Sequence, residues 1–321
     1  RAREIVPILQ RYGNVDIALS GTQADVQLPF PIRYQKRGTS FIYGNRGQIN
    51  WLNTLTKTRF STLIKDIWQF PVEQYDVIFN DFEPVTAWAC QRKNVPCIGL
   101  SHQGAFLSNK SPRPKRKQFS GEFVLKSFAP ITSMYAFHFK RYDTFIRTPV
   151  IRSEIRQAAV STQNHIAVYL PAVDDKVLIQ QFSKIKKVQW QIFSKRVKKL
   201  KTIGNVSIQP INNEHWIKSV SSAIGTIMSA GFEGPAEALF MGKKLMVMPI
   251  IGQYEQLCNA TALQQMGVPV FRKINYQFEG LVKDWLYRQD PIQVDYPDET
   301  AQIVQSIFEN EIGLANTQLA F

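Results

Sequence analysis

Short apolar runs alternate with helix-length amphipathic segments along most of the chain. Tyr75–Asn80 and His165–Leu170 are two clear apolar runs, and each is followed by polar residues or turn formers. Amphipathic segments such as Trp51–Trp68 separate such runs, and a shorter helix is predicted to begin over Thr22–Val26. Buried parallel strands are continuously apolar and their crossovers are helical, so this alternation predicts an α/β protein with parallel sheets.

The stretch from Thr226 to Ala262 has the clearest pattern. It predicts, in order, a strand, a turn, a helix, a strand, a polar loop and a helix: Ile224–Ser229, Ala230–Gly231, Glu233–Met241, Leu245–Met248, Gly252–Gln256 and Leu257–Met266. Two helix N-termini would then follow adjacent parallel strands. Unpaired N–H groups and the helix dipole favour an anion there.

The polar residues of this stretch suit a nucleotide. Gly231 would let a diphosphate approach the backbone closely. Glu237 follows Glu233 by four residues on the same helix face, where a carboxylate could accept hydrogen bonds from ribose hydroxyls. Glu255 and Gln256 could bind sugar hydroxyls in the same way. The alternative is an ordinary βαβ unit with surface carboxylates.

This stretch resembles the donor-nucleotide signature of GT-B glycosyltransferases. It is similar both to the signature of UDP-glucuronosyltransferases and plant glycosyltransferases and to the bacterial N-acetylglucosaminyltransferase that makes lipid II. In those families the signature has a fixed order: a glycine turn, a glutamate, a glycine that ends the helix, a proline that ends the strand, and an Asp/Glu-Gln pair before an asparagine. In this chain the corresponding residues are Gly231, Glu237, Gly242, Pro249, Glu255, Gln256 and Asn259. Ser229-Ala230 in place of the usual His-Gly is one departure. The length of the loop after Pro249 is another.

The resemblance implies a GT-B fold, with two Rossmann-like parallel-sheet domains facing across a cleft. Residues 1–151 would bind the acceptor and residues 152–321 the nucleotide-sugar donor, with a last helix that could cross back. It implies a hexosyltransferase with a UDP-sugar as co-substrate, without a metal or other cofactor, acting with inversion. The absence of an Asp-x-Asp motif agrees with that mechanism. The implied donor-binding residues are Gln209, Pro210 and Ile211 for uracil, Ser229, Ala230, Gly231, Phe232 and Glu233 around the diphosphate, Glu237 for ribose, and Gln253, Glu255 and Gln256 near the sugar.

The chain opens on a predicted helix, Arg1–Arg11, with no strand before it. An α/β domain normally begins with a strand and a glycine-rich turn, so we expect both to be absent or to lie upstream of Arg1. In GT-B families that loop often carries Gly-x-Gly-His with the histidine as catalytic base. The resemblance therefore implies that the base lies upstream of Arg1.

Two candidate catalytic residues lie within the chain, Asp81 and His102. Each follows a predicted strand, close to Glu83 and Gln103 respectively. Side chains at strand carboxyl ends line the cleft of open α/β sheets, and a histidine near a carboxylate could act as general base. The alternatives are a helix N-cap for Asp81 and a purely hydrogen-bonding role for His102.

The positive charge lies mainly in the first half. Residues 1–150 carry 21 Lys/Arg against 10 Asp/Glu, a net of +11 out of the total +14. Within it a proline-containing segment of basic residues, flanked by apolar ones, predicts an exposed mobile loop that binds an anionic membrane surface or a lipid-linked acceptor. A nucleic-acid patch is the less favoured alternative, and a merely solvated loop the simplest one. The basic residues are Lys110, Arg113, Lys115, Arg116 and Lys117.

Length and composition fit this picture. The 321 residues suit two domains of about 150 residues. The sequence has no apolar run of about 18 residues and no visible signal peptide. Cys90, Cys97 and Cys258 lie at no metal-binding spacing and indicate reduced, mostly buried thiols. We therefore expect a cytoplasmic protein that could be peripheral on the inner face of the cell membrane.

Two alternative functions remain at this point. An isomerase like UDP-N-acetylglucosamine 2-epimerase shares the fold and donor geometry, but is expected to place several acid/base residues in the cleft. A non-catalytic module that binds polyanions or membranes would retain the donor fold without activity. The basic first half and the expected loss of the glycine loop motivate the second alternative.

Overall fold

The computed structural model describes residues 1–21, 28–36 and 60–313. The chain divides into two compact units. The first comprises the described residues of Arg1–Ser111, Lys117–Arg152 and Pro297–Phe321, and the second comprises Pro112–Arg116 and Ser153–Tyr296. The helix predicted over Thr22–Val26, and residues 51–59 of the helix predicted over Trp51–Trp68, lie outside the described residues.

Parallel strands and helices build the first unit. Its elements up to residue 152 are α1 (Ala2–Leu9), β1 (Ile17–Ser20), β2 (Ile32–Lys36), α2 (Phe60–Gln69), β3 (Phe79–Asn80), α3 (Pro84–Lys93), β4 (Ile98–Ser101), α4 (Phe119–Ser127), β5 (Ser133–Phe137) and β6 (Ile146–Arg147). β1 pairs with β2, and β3 to β6 form a four-stranded sheet in chain order.

The cysteine side chains test one of the sequence predictions. Cys90 and Cys97 pack in a buried cluster with Phe70 and Val72, and all three cysteines are buried free thiols. The prediction of buried thiols is therefore confirmed.

A six-stranded sheet forms the centre of the second unit. Its elements are α5 (Ser153–Arg156), β7 (His165–Tyr169), α6 (Asp175–Phe182), β8 (Gln189–Ser194), β9 (Lys201–Ile203), β10 (Val206–Pro210), α7 (Asn213–Ser222), β11 (Gly225–Ser229), α8 (Glu233–Phe240), β12 (Lys244–Met248), α9 (Tyr254–Gln265) and α10 (Phe278–Arg288). The strand order is β12-β11-β7-β8-β10-β9. Neighbours are parallel except β9, which runs antiparallel to β10.

The strand order reverses at β7. The strands β8 and β10 lie on one side of β7, whereas β11 and β12 lie on the other. In open α/β sheets, ligands bind beyond the carboxyl ends of the strands at such a reversal. Tyr169 pairs with Met228, so the loops that follow β7 and β11 begin side by side. The fold thus brings residues 170–174 next to residues 230–232.

Large apolar side chains form the core packed against this sheet. Trp190 is fully buried, packs at a tilt against Phe182 with a centroid distance of 4.4 Å, and donates its indole N–H to the Ile185 carbonyl at 3.1 Å. Burying such a side chain contributes about 1.5–3 kcal/mol, so many of them together fix the strand ends. The last described helix, α11 (Thr300–Ile312), belongs to the first unit, where Phe308 stacks on Tyr12 at 4.0 Å.

Candidate functional site

The turn between β11 and α8 lies at the strand reversal. Ala230 is buried, and its N–H donates to the Met248 carbonyl at 3.3 Å. The N-cap residue of α8, Phe232, makes no side-chain capping hydrogen bond. The first N–H groups of the helix are therefore not capped by that residue, and such groups bind anions readily.

Gly231 faces open space. A Cβ atom built on this residue would have no heavy atom within 4 Å. The fold therefore does not need glycine here for packing. A ligand phosphate, by contrast, could approach the backbone on that side.

Two carboxylates follow this turn on α8. Glu233 is half-buried in the first helical turn, and Glu237 lies one turn later with only 5% of its surface exposed. Burying a carboxylate is costly unless hydrogen bonds satisfy it. The assignment of Glu237 to ribose hydroxyls stays a prediction, and its burial confines any ligand contact to a small part of the carboxylate.

The loop between β12 and α9 is shorter than the sequence predicted. The helix begins at Tyr254, so Glu255 and Gln256 lie in its first turn and the polar loop predicted up to Gln256 is wrong. The reason is local: the Gln256 side chain accepts from the Ile250 N–H at 3.0 Å and donates to Gln253 Oε1 at 2.7 Å. Gln253 and Gln256 thus brace the loop, and their assignment to the sugar stays a prediction.

The N-termini of α8 and α9 lie at the same edge of the sheet. Ser229 pairs with Met248 in parallel register, so both helices start just beyond the carboxyl ends of neighbouring strands. This confirms the predicted arrangement of two helix N-termini. A diphosphate at this edge would meet the positive ends of two helix dipoles.

The residues predicted to contact uracil end β10 at the same edge. Gln209 and Pro210 are the last residues of the strand, and Ile211 follows it with its side chain exposed. Asn212 then caps α7 by accepting from the His215 N–H at 3.0 Å. β7 and β8 separate this loop from Gly231.

Asp81 in the first unit forms an ion pair. Its carboxylate lies 2.9 Å from a guanidinium nitrogen of Arg1 and is half-exposed. The N-cap of α3 is Glu83, which accepts from the N–H groups of Val85 and Thr86 at 2.6 and 2.7 Å. The N-cap alternative for Asp81 is therefore wrong, because Glu83 caps the helix, which begins at Pro84.

His102 lies in the interior of the first unit. It is 1% exposed, and its Nδ1 lies 2.8 Å from the Phe137 carbonyl oxygen, to which it donates. Its ring packs edge to face on His138 and Phe106. This geometry matches the hydrogen-bonding alternative, and a role as general base stays a prediction.

The comparison with protein families decides the class of this chain. A family described as Glycosyl transferase family 1 matches residues 1–289. The chain belongs to glycosyl transferase family 1. The predicted enzyme class, a hexosyltransferase-type glycosyltransferase, is thereby confirmed.

Solved structures show the fold of this glycosyltransferase. Acinetobacter baumannii MurG has a TM-score of 0.53 at 13% identity, covering 95% of this chain and 94% of that one. Arabidopsis thaliana UGT89C1 complexed with UDP has a TM-score of 0.55 at 12% identity, covering 93% and 88%. The glycotransferase of kitacinnamycin has a TM-score of 0.52 at 13% identity, covering 85% and 81%. The predicted GT-B class is confirmed. A search of curated proteins gives no match.

One basic residue of this glycosyltransferase was missed by sequence reasoning. Arg196 follows β8, and its guanidinium donates to the carbonyls of Pro171 and Val173 in the loop after β7. In the sequence, residues 194–200 are distinguished only by their basic side chains. Nothing in that segment indicates partners that lie more than twenty residues earlier in the chain.

The N-terminal end of the basic segment in the first half is held by hydrogen bonds and an ion pair. Lys110 pairs with Asp143 at 3.0 Å, and Ser108 donates to the same carboxylate at 2.6 Å. These hydrogen bonds lower the pKa of Asp143 to about 2, and the one from Ser108 has the largest effect. Buried Ser111 donates to the Ala105 carbonyl at 2.6 Å. The expectation of a mobile loop is therefore wrong at this end of the segment.

The other end of the segment is exposed and leads into α4. Arg113 is half-buried, whereas Lys115, Arg116 and Lys117 are exposed. On α4, Phe119 is 91% exposed and Phe123 is 67% exposed. No helix in the described part of the chain is both long and apolar enough to cross a bilayer. The same residues contain no cluster of three or more His, Cys, Asp or Glu side chains suited to a metal ion.

Proposed function

We propose that this glycosyltransferase transfers a sugar from a UDP-sugar to an acceptor hydroxyl, with inversion and without a metal or other cofactor. The observation that carries the proposal is the pair of helix N-termini, those of α8 and α9, beyond the paired strands β11 and β12. Their N–H groups and dipoles would stabilise the diphosphate of the leaving UDP, the task that a metal performs elsewhere. The UDP complex of the structurally similar UGT89C1 supports a uridine nucleotide.

The reaction follows from this placement of the donor. The acceptor oxygen attacks the anomeric carbon while the bond to the UDP oxygen breaks, and a general base takes the hydroxyl proton. A single in-line displacement inverts the configuration. In the donor site, Gln209, Pro210 and Ile211 would contact uracil, Glu237 the ribose, and Glu255 the transferred sugar, as the family resemblance implies.

The proposal is tested by UDP binding and UDP release. A calorimetric UDP titration should show binding, and UDP-sugars with an acceptor should release UDP in a reaction that a chelator does not slow. Absence of both would contradict the proposal. Interconversion of the sugar without an acceptor would favour the 2-epimerase alternative, and retention of configuration in the product would contradict inversion.

We further propose that the acceptor is lipid-linked and that the enzyme associates with an anionic membrane, at the cytoplasmic face. The supporting observation is α4, where Phe119 and Phe123 lie one turn apart and expose their rings on one helix face. Two exposed aromatic rings on one helix face form an apolar patch, and contiguous apolar patches are the surface feature that marks membrane or protein interaction sites. The exposed residues Lys115, Arg116 and Lys117 directly precede this helix in the sequence and would attract anionic headgroups.

Vesicle flotation tests this second proposal. Lys115, Arg116 and Lys117 are replaced by Gln, and the matched control replaces Lys195, Lys198 and Lys199, which removes the same charge elsewhere. At about 1 kcal/mol per basic residue, the first variant should bind anionic vesicles roughly 100-fold more weakly, while the control keeps its binding.

Three results would contradict membrane binding through this segment. If both variants lost vesicle binding equally, net charge alone would explain the effect. Unchanged flotation of the first variant would exclude the segment as a contact. Binding to nucleic acid without binding to vesicles would favour the nucleic-acid alternative, whereas vesicle binding without any UDP binding would indicate the non-catalytic module.

A further inference from the structure

The loop after β7 forms one side of the strand reversal. It spans residues 170–174, contains Pro171 and has no glycine. Its backbone turns where the Val173 N–H donates to the Leu170 carbonyl at 3.0 Å. Because β7 and β11 are paired, this loop begins beside the turn that contains Gly231. A nucleotide bound against Gly231 would have this loop as its neighbouring wall.

The guanidinium of Arg196 ties two carbonyls of this loop together. It donates to the Pro171 carbonyl at 2.8 Å through one terminal nitrogen and to the Val173 carbonyl at 2.8 Å through the other. A guanidinium is planar and rigid, so two simultaneous bonds fix both the spacing and the direction of these carbonyls. The same side chain is 46% exposed, so it lies at the surface of the sheet edge.

Two further residues hold the guanidinium in place. Asp175, the first residue of α6, accepts from Arg196 at 3.1 Å. Both carboxylate oxygens of Asp175 lie within 2.9 Å of the Ser194 hydroxyl, which itself accepts from the Arg196 backbone N–H at 3.1 Å. Ser194 is buried. Arg196, Asp175 and Ser194 thus form one hydrogen-bond network, which joins the ends of β7 and β8 to the start of α6.

We propose that Arg196 is a positioning residue for the sugar-nucleotide donor. It holds the loop after β7 in the geometry that lets this loop line the nucleotide site next to Gly231. The inference rests on the proposed use of a UDP-sugar. It assigns Arg196 no contact with the reacting atoms. Its loss should therefore weaken donor binding equally in the ground state and in the transition state, which raises KM with little change in kcat.

Long-range attraction of the diphosphate by a positive charge is the competing explanation. Two substitutions separate it from positioning. Arg196→Lys keeps the positive charge, but the single ammonium group of lysine cannot hydrogen-bond to two carbonyls and a carboxylate in the geometry of the planar guanidinium. Lys198→Gln removes an exposed charge from the same turn, and no ion pair or hydrogen bond involving Lys198 lies within the described residues. Positioning predicts that the lysine variant is impaired and that the glutamine variant is not.

The experiment measures the UDP Kd by calorimetry, and KM and kcat for the UDP-sugar, below the unfolding transition of each variant. Arg196→Ala and Arg196→Lys should each raise the Kd and KM about tenfold or more, the scale of lost charged hydrogen bonds. The kcat should stay within about twofold. Lys198→Gln should match the wild type. Should Arg196→Ala fail to fold, Asp175→Ala, which releases the guanidinium, should raise the Kd in the same direction.

Each contrary result has a distinct meaning. A wild-type enzyme that does not bind UDP contradicts the proposed function itself. Wild-type binding with an unchanged Kd in Arg196→Ala overturns only the positioning role. Full rescue by lysine, or an equal loss in Lys198→Gln, overturns it in favour of simple charge. A lowered unfolding temperature with unchanged KM reduces Arg196 to a structural residue.

Discussion

Glu83 fixes the start of α3, and its replacement should destabilise the first unit. Its carboxylate accepts from the N–H groups of Val85 and Thr86 at 2.6 and 2.7 Å. It also accepts from the Thr86 hydroxyl at 2.6 Å and from the Ser20 hydroxyl at the end of β1. One side chain therefore caps a helix and joins it to a neighbouring strand.

The magnitude follows from these four bonds. Loss of an N-cap costs about 1 kcal/mol, and loss of hydrogen bonds to a charged group adds about 1.5–3 kcal/mol. We expect Glu83→Ala to lower the free energy of unfolding by about 2–4 kcal/mol in urea titrations. Glu83→Gln, which keeps an acceptor oxygen, should lose less. Asp81→Ala breaks only a half-exposed ion pair with Arg1 and should cost about 0–1 kcal/mol.

The order of these variants by their free energy of unfolding is the decisive result. If Asp81→Ala destabilised the first unit as much as Glu83→Ala does, the cap would be assigned to the wrong residue. If Glu83→Ala left the urea midpoint unchanged, the four bonds would contribute nothing net to stability. Either outcome would refute the reasoning.

Two further predictions concern buried groups of the second unit. Burial lowers the pKa of His165, so the folded state binds fewer protons than the unfolded state below about pH 6.5 and loses stability as the pH falls through that value. Urea titrations at pH 7 and 5.5 should therefore show a larger loss for the wild type than for His165→Gln, and equal losses would refute the assignment. Glu237→Ala should weaken UDP binding by about 1.5–3 kcal/mol in calorimetry if its carboxylate binds ribose. An unchanged Kd would remove that role.

The βαβ segment around Gly231 was predictable from the sequence, because its signals are local. Largely apolar runs mark β11 and β12, and Gly242 and Pro249 mark where a helix and a strand end. The predicted and observed bounds of these strands differ by one residue. The start of α9 was missed because it depends on a side-chain bond from Gln256 back to Ile250.

The remaining differences depend on contacts between distant parts of the chain. Nothing near His102 in the sequence shows that its ring packs edge to face on His138 and donates a hydrogen bond to the Phe137 carbonyl. The edge strand β9 pairs antiparallel with β10, and the basic segment before β9 does not indicate this pairing. Arg196 likewise acquires its role from a loop more than twenty residues earlier in the chain. Sequence patterns predicted where the strands end, but not which side chains meet there.

A UDP titration of Gly231→Val tests the central claim most directly. No heavy atom lies within 4 Å of the position of a Cβ at Gly231, so the variant should fold with an unchanged unfolding transition. Gly280→Val is the matched control, because Gly280 in α10 has the same open surroundings. A donor diphosphate against Gly231 predicts that calorimetry detects UDP binding to the wild type and to Gly280→Val but not to Gly231→Val. Wild-type affinity for UDP in Gly231→Val would contradict the donor site proposed at this turn.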